Sequence, residues 1–201
     1  MKLLRIDASS RTESSESRKM ADKLMHQLKN SYPDTTITIR DIIGSPLPHI
    51  TQTTIEGFYT PEDKLTETLL EATQLSDTLI DELNECDILL ISTPMYNFGV
   101  PSALKAWIDQ IVRINRTFGV ADDNSFYGMV KHLKAYVITS AGAVYSNESM
   151  EDFDFLTGYL QTVLGLIGIT DVTFLPLEGT TLDPDTFSTS LKKAEATISK
   201  L

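Results

Sequence analysis

Short apolar runs alternate with amphipathic stretches along the whole length of this sequence. The apolar runs are compact, as strands are, whereas the stretches between them carry apolar residues at helical spacing. This alternation predicts an α/β fold in which helices cover both faces of a parallel sheet. The predicted strands cover residues 2–8, 35–40, 87–92, 133–140 and 171–177, and the predicted helices cover about 17–30, 65–85, 100–114, 153–167 and 184–201.

The strand order indicates where such a sheet would bind a ligand. Five parallel strands fit the order 2-1-3-4-5 as well as any alternative, and this order reverses beside strands one and three. Ligands of open α/β sheets lie beyond the carboxyl ends of the strands at this reversal. The loops that begin at Ser9, Pro94 and Ser140 are therefore the candidate binding loops.

Length, charge and cysteine content exclude several classes of protein. The 201 residues predict a single domain over 1–201, large enough to bury a core without disulfides. A net charge of −11 argues against nucleic acid or an anionic membrane surface as partner, because both need clustered cations. No apolar run reaches the roughly 20 residues that span a bilayer, and the N-terminus has no apolar signal core, so we expect a soluble cytoplasmic protein. The single cysteine, Cys86, cannot form an intramolecular disulfide, and no Cys/His cluster has zinc spacing.

Hydroxyl side chains crowd the turn between the first predicted strand and the first predicted helix. A helix N-terminus presents unpaired backbone N–H groups and a positive dipole end, so it is a ready anion site. Ser9, Ser15 and Ser17 would add donors, and Arg11 or Arg18 could add charge. The turn therefore suits a phosphate monoester, although an ordinary N-cap in a polar loop has the same composition. Neither a Walker loop nor a dinucleotide-binding glycine pattern occurs in the chain.

The other two candidate loops contain planar and small side chains. Residues 94–99 read Pro-Met-Tyr-Asn-Phe-Gly and could lie along a planar heterocycle, with a turn that only caps the core as an equal alternative. Residues 139–143 are small enough for their backbone to approach a ligand closely. No nucleophile system accompanies them, because the Gly-x-Ser-x-Gly elbow is absent and Cys86 lies at the wrong end of its strand. Any chemistry therefore belongs to a cofactor that the protein orients.

Two connecting segments are longer than plain connectors in a compact domain. They cover residues 42–64 and 117–132 and are typical of lids or binding loops, or else of mobile linkers. Their aromatic residues include Phe58, Tyr59, Phe118, Phe126 and Tyr127.

Together, these motifs resemble those of the FMN-dependent NADH:azoreductases, which are also NAD(P)H quinone reductases of the flavodoxin-like superfamily. The resemblance runs from the first strand to the last and implies a flavodoxin-like three-layer sandwich with a five-stranded parallel sheet in the order 2-1-3-4-5. The residues that carry it are Ser9, Ser15-Glu16-Ser17, Met95-Tyr96-Asn97-Phe98, Val137–Ser140 and Gly165–Val172.

The resemblance implies three FMN-binding loops, the same three that the strand order selects. The phosphate would be held by Ser9, Ser15, Glu16 and Ser17, with the Glu16 carboxylate turned away from it. The isoalloxazine would be lined by Met95, Tyr96, Asn97 and Phe98, with Asn97 near its N5 and O4 edge. Its pyrimidine side would contact Ser140, Ala141, Gly142 and Ala143, where the family often has Ser-Arg-Gly-Gly.

The resemblance also implies a ping-pong reaction. NADH, with NADPH left open, would pass hydride to FMN and leave, after which a quinone or azo compound would take two electrons at the same place. Phe98 and Phe118 would bind this substrate, and neither a protein-borne catalytic residue nor a metal is implied. The family further implies a homodimer. Trp107 and Ile111 on the apolar face of 100–114 are candidate contacts, with plain core packing as the alternative for Trp107.

Two other functions fit parts of the same pattern. A non-enzymatic flavodoxin-like electron carrier would share the fold and FMN, and strong acidity would suit docking to basic redox partners. The long segments favour the enzyme, because a carrier must expose its flavin edge to a protein partner. A phosphate-ester hydrolase or binding module would instead use the Ser-rich turn without a flavin.

Overall fold

The computed structural model describes residues 1–201 and contains seven strands and six helices. Five of the strands form one parallel sheet, and the other two form a separate antiparallel hairpin. In chain order the elements are β1 (Lys2–Asp7), α1 (Glu16–Ser31), β2 (Thr36–Asp41), α2 (Gln52–Tyr59), α3 (Glu67–Glu85), β3 (Ile88–Pro94), α4 (Ser102–Ile111), β4 (Phe118–Val120), β5 (Phe126–Gly128), β6 (Lys134–Ser140), α5 (Phe155–Ile167), β7 (Asp171–Leu177) and α6 (Pro184–Ile198).

The parallel sheet confirms the predicted strand order. Its order is β2-β1-β3-β6-β7, which is 2-1-3-4-5 when only the strands of this sheet are counted. The strand register pairs Asp7 with Ser92 and Pro94 with Ser140. The loops after β1, β3 and β6 consequently begin at one edge of the sheet.

Two apolar clusters, one on each face of the sheet, make up the core. Leu4 and Ile6 of β1 pack with residues of α3, α4 and α5, whereas Leu3 packs with residues of α1 and α6. The alternation follows from the strand geometry, in which successive side chains point to opposite faces. The fold is therefore the expected three-layer sandwich.

The two long segments contain structure that the sequence analysis did not predict. The first includes α2, whose N-cap Thr51 accepts a hydrogen bond from the Thr54 amide in a capping box. The second includes the β4–β5 hairpin, with Asn124 in the left-handed region at φ 64°. Both segments thus contribute regular secondary structure outside the parallel sheet.

Trp107 and Ile111 lie in the core of the single chain. Each is only 1% exposed, so core packing is correct for both residues and neither side chain is available to a second protomer. No helix in the fold combines the length and the apolarity that crossing a membrane requires.

Candidate functional site

A cavity of about 300 Å³ opens at the carboxyl ends of β1, β3, β6 and β7. All three predicted binding loops contribute to it, as do the loop after β7 and the first turns of α1 and α6. The lining residues are Ser9, Arg11, Ser14, Ser15, Glu16, Pro94, Met95, Tyr96, Ser140, Gly142, Thr180, Thr181 and Phe187.

The start of α1 forms a cradle of hydrogen-bond donors at one wall of this cavity. Ser15 is the N-cap, and its Oγ accepts a hydrogen bond from the Arg18 amide at 3.3 Å. The amides of Glu16 and Ser17 donate to no group within the chain. Free amides at a helix N-terminus beside a serine hydroxyl suit a bound anion.

Ser9 and Ser17 support this cradle from buried positions. Ser9 lines the cavity, and its Oγ accepts a hydrogen bond from the Arg11 amide at 3.3 Å. The Ser17 hydroxyl is fully buried 3.1 Å from Ser15 Oγ and does not line the cavity. The Ser17 side chain thus orients Ser15, whereas its backbone amide has no partner within the chain.

The charged residues near the cradle divide into free and engaged groups. Arg11 lines the cavity, whereas the Arg18 guanidinium is committed to Asp41 and to the Ser9 carbonyl. Glu16 accepts a hydrogen bond from Lys19 Nζ at 2.7 Å, so its carboxylate is neutralised along the helix. Of the two arginines that the sequence analysis considered, only Arg11 is available to an anion.

The loop after β3 turns sharply beside the cavity. The backbone groups of Tyr96 and Gly99 exchange two hydrogen bonds of 3.1 Å, and the residues between them, Asn97 and Phe98, have φ values of 48° and 69°. Two successive positive φ angles define a type I′ turn, which favours glycine at its second central position. Phenylalanine here therefore carries backbone strain, which is a feature of binding sites.

An aromatic cluster surrounds Phe98 above this turn. Its ring lies 5.5 Å from Phe153 and 6.3 Å from Tyr145, measured between ring centroids. The Tyr145 segment is anchored by Glu178, whose carboxylate accepts hydrogen bonds from the amides of Tyr145 and Ser146 at 2.8 and 2.9 Å. The rings pack edge-to-face and tilted, and Phe98 and Phe153 leave apolar surface exposed beside the β3 loop.

The loop after β6 is held by the loop after β7. The Ala141 carbonyl accepts hydrogen bonds from the amide and hydroxyl of Thr180, and Gly142 bonds Thr181 in the same way. A Cβ at Gly142 would lie 2.8 Å from Thr181 Oγ1, so glycine keeps this corner of the cavity open.

The cavity contains some predicted site residues and excludes others. Ser9, Ser15, Glu16, Met95, Tyr96, Ser140 and Gly142 line it, whereas Ser17, Asn97, Phe98, Ala141 and Ala143 lie in its loops but outside the lining. Thr180, Thr181 and Phe187 were not predicted. Their position in the sequence could have indicated them, because the segment after the fifth strand of the sheet begins at the same carboxyl edge as the three predicted loops.

Phe118 lies elsewhere in the protomer. It stands on the β4–β5 hairpin against Phe126 and lines a cavity of about 170 Å³ with Phe58 and Tyr59. The single chain does not bring Phe118 together with Phe98.

Comparison with known proteins identifies the fold family. A family model described as the flavodoxin-like fold matches residues 1–201. This chain belongs to that flavodoxin-like family.

Individual flavodoxin-like relatives cover nearly the whole chain. The sequence is 46% identical over 172 residues to an FMN-dependent NADH:quinone oxidoreductase of Xanthobacter autotrophicus, covering 85% of this chain and 82% of the relative. It is 38% identical over 200 residues to a protein of the same name from Herminiimonas arsenicoxydans, covering 100% and 98%. An FMN-dependent NADH-azoreductase from Bacillus anthracis, solved in complex with FMN, superposes with a TM-score of 0.86 at 23% identity over 100% of this chain and 99% of that one.

In this flavodoxin-like chain the serine hydroxyls of the cavity have no histidine beside them in the lining. No histidine or cysteine lines it. Burial raises the pKa of the Cys86 thiol to about 12, and this residue lies two positions before β3, at the end of the sheet opposite the cavity. The lining instead offers amides, hydroxyls and aromatic surface, which suit the holding of a cofactor.

Proposed function

We propose that this chain is an FMN-dependent NADH:quinone oxidoreductase. The observation that carries the proposal is a cradle of free amides and serine hydroxyls at the start of α1 that shares one cavity with Met95 and Tyr96. Two relatives of this name, which match nearly the full chain at 38% and 46% identity, support it.

The residues of the cavity fit FMN in three places. The phosphate would be held by Ser9, Ser15 and the amides of Glu16 and Ser17, with Arg11 as the nearby cation. The isoalloxazine would lie against Met95, Tyr96, Asn97 and Phe98. Its pyrimidine side would meet Ser140, Ala141, Gly142 and Ala143, where the open corner at Gly142 leaves room for a ligand.

Bound FMN would supply the redox chemistry for a two-electron transfer from NADH to a quinone. The protein orients the reactants and excludes water. Phe98, Tyr145 and Phe153 provide the apolar surface on which a planar acceptor can stack. The amides of Asn97 and Phe98, which donate to no group within the chain, would stabilise negative charge that develops on the cofactor.

A homodimer belongs to the same proposal. Tyr59 is 70% exposed and Phe126 is 65% exposed, and large exposed aromatics are a feature of interaction surfaces. Because Phe98 and Phe118 are separate within one protomer, they can line one substrate site only if the hairpin of a second protomer reaches the first. Light scattering after size exclusion should give twice the monomer mass of 22.4 kDa, and a monomer would contradict this part.

The proposal extends to the domain and to its location. Both core clusters pack on the same five strands, which supports residues 1–201 as one domain. The need for NADH supports a cytoplasmic location. The absence of clustered cations in a chain of net charge −11 supports a role without nucleic acid or membrane partners.

Steady-state turnover tests the proposed function. The purified chain reconstituted with FMN should oxidise NADH when a small quinone is present and no other protein is added. A non-enzymatic electron carrier would bind FMN but show no such turnover, and a phosphate-ester hydrolase would take up no flavin. Either result would contradict the proposal. Replacing NADH by NADPH, and the quinone by an azo dye, would then define donor and acceptor preference.

A further inference from the structure

We propose that Arg18 is a positioning residue for the cofactor phosphate, and that it shapes the Ser9–Ser15 loop before the phosphate binds. This inference rests on the proposed function, because it concerns how the phosphate of FMN is held. Arg18 itself does not line the cavity, so it acts through the residues that do.

Arg18 contacts both ends of the Ser9–Ser15 loop. One terminal nitrogen of its guanidinium donates to the Ser9 carbonyl at 2.9 Å. Its backbone amide donates to Ser15 Oγ at 3.3 Å. Arg18 thus contacts the backbone of Ser9 through its guanidinium and the hydroxyl of Ser15 through its own backbone, and both serines line the cavity.

The guanidinium is in turn held in place by the ends of two strands. Both of its terminal nitrogens donate to the Asp41 carboxylate at 2.8 Å, in a bidentate arrangement at the end of β2. One of them also lies 3.6 Å from Asp7, the last residue of β1. Bidentate pairing restricts the orientation of an arginine more than a single contact does. Arg18 therefore fixes the Ser9–Ser15 loop rigidly to the ends of β1 and β2.

Arg18 is not a free cation that waits for an anion. The cluster beneath the loop contains two arginines, Arg5 and Arg18, against the three carboxylates of Asp7, Asp22 and Asp41. Its net charge is negative, so long-range attraction of a phosphate cannot be its contribution. Arg18 can therefore favour phosphate binding only by holding the Ser9–Ser15 loop in position.

One donor of the Arg18 guanidinium remains without a partner. Arg18 Nε is buried without a hydrogen-bond partner. Buried donors are usually satisfied, and an unsatisfied one destabilises the folded state. The guanidinium therefore lies where its terminal nitrogens reach Ser9 and Asp41, with Nε left unpaired.

The test compares FMN with riboflavin, which lacks only the phosphate. The full chain, freed of flavin, is titrated with each compound, and binding is followed by flavin fluorescence. Arg18→Lys keeps the positive charge but replaces the two-nitrogen fork of the bidentate pair by a single nitrogen, and Arg18→Met removes the charge and the side-chain bonds. Arg40→Met is the matched control, because Arg40 makes a similar bidentate pair with Glu82 away from the loop.

Both Arg18 variants should bind FMN about tenfold more weakly, as expected for losing the equivalent of one hydrogen bond, while their affinity for riboflavin stays within about twofold. Arg40→Met should bind both flavins as the wild type does. A purely structural role of Arg18 would weaken both flavins equally, and a pure charge effect would spare Arg18→Lys. Either result, or unchanged affinities, would overturn the inference.

Asp41→Asn provides an independent test if an Arg18 variant fails to fold. Asn breaks the bidentate pair with Arg18. It keeps one side-chain oxygen, which can still accept the hydrogen bonds that the Ile43 and Gly44 amides donate to Asp41 Oδ1. Loss of positioning predicts weaker FMN binding, whereas release of a positive charge would make FMN bind more tightly. A wild-type chain that binds no FMN would instead contradict the proposed function itself, which keeps the two failures distinguishable.

Discussion

At the residue scale, Ser15 contributes both to the stability of α1 and to the proposed phosphate site. Ser15→Ala should lower the free energy of unfolding by about 1 kcal/mol, the usual effect of losing an N-cap. It should also weaken FMN binding about tenfold, because a ligand hydrogen bond is lost. Urea unfolding and fluorescence titration measure the two effects.

Thr66→Ala is the matched control for Ser15. Thr66 caps α3 by accepting a hydrogen bond from the Leu69 amide, and it does not line the cavity. It should show the same loss of stability with unchanged FMN affinity. Equal FMN affinities in both variants would exclude Ser15 from the phosphate site.

Phe98 carries strain that a pair of variants can measure. Phe98→Ala and Phe98→Gly both remove the ring contacts with Phe153 and Tyr145. Only glycine also relieves the left-handed backbone, which is worth about 1–2 kcal/mol. The glycine variant should therefore be the more stable of the two by that amount in urea unfolding, and both should turn over quinone more slowly. Equal stability would show that the turn is unstrained.

Cys86 should be protected from alkylation in the native protein. Burial raises the pKa of its thiol to about 12, whereas an unfolded cysteine has a pKa of about 8.5. Because the native thiol keeps its proton as the pH rises above about 8.5 and the unfolded one does not, this group makes the protein less stable with rising pH in that range. Iodoacetamide at about pH 9 should label Cys86 rapidly in urea and slowly without it. Rapid native labelling would contradict the burial.

At the element scale, the sequence predicts the strands of the parallel sheet well and the short elements α2, β4 and β5 poorly. Strands such as β3 are buried on both faces and read as short apolar runs, so their number and order could be inferred. β4 and β5 have three residues each, which is too short for any period to show. The eight-residue helix α2 begins with a Thr51–Thr54 capping box that lacks the usual glutamate signal.

The candidate site likewise contains parts that local sequence patterns encode and parts that they do not. The loops after β1, β3 and β6 follow from the strand order, so most of the cavity lining was predictable. Thr180 and Thr181 enter the site through hydrogen bonds between two loops, which no local pattern encodes. The engagement of Arg18 depends on Asp41, which is 23 residues away in the sequence.

The packing of α2 and α5 leads to a prediction about one glycine in each helix. A Cβ at Gly57 of α2 would lie 2.5 Å from Thr73 Cγ2 of α3, whereas a Cβ at Gly158 of α5 would meet nothing within 4 Å. Gly57→Ala should therefore destabilise the protein by about 1–3 kcal/mol through overpacking. Gly158→Ala should stabilise it by up to about 1 kcal/mol, because alanine favours helix. Thermal unfolding that gave both variants the same sign would contradict this packing.

At the scale of the whole molecule, a strongly acidic chain holds a site suited to phosphate. The net charge of −11 belongs to the molecule as a whole, whereas the start of α1 presents uncharged donors at short range. Charges separated by more than about 10 Å are screened by salt, so the local donors decide binding. Acidity and a phosphate-bearing cofactor are therefore compatible.

An anaerobic absorbance spectrum tests the central claim most directly. The purified chain is loaded with FMN, NADH is added without oxygen, and a quinone follows. The account predicts that NADH bleaches the visible flavin absorbance and that the quinone restores it, with no other protein present. A chain that takes up no flavin, or a bound flavin that NADH leaves unbleached, would contradict the assignment as an FMN-dependent NADH:quinone oxidoreductase.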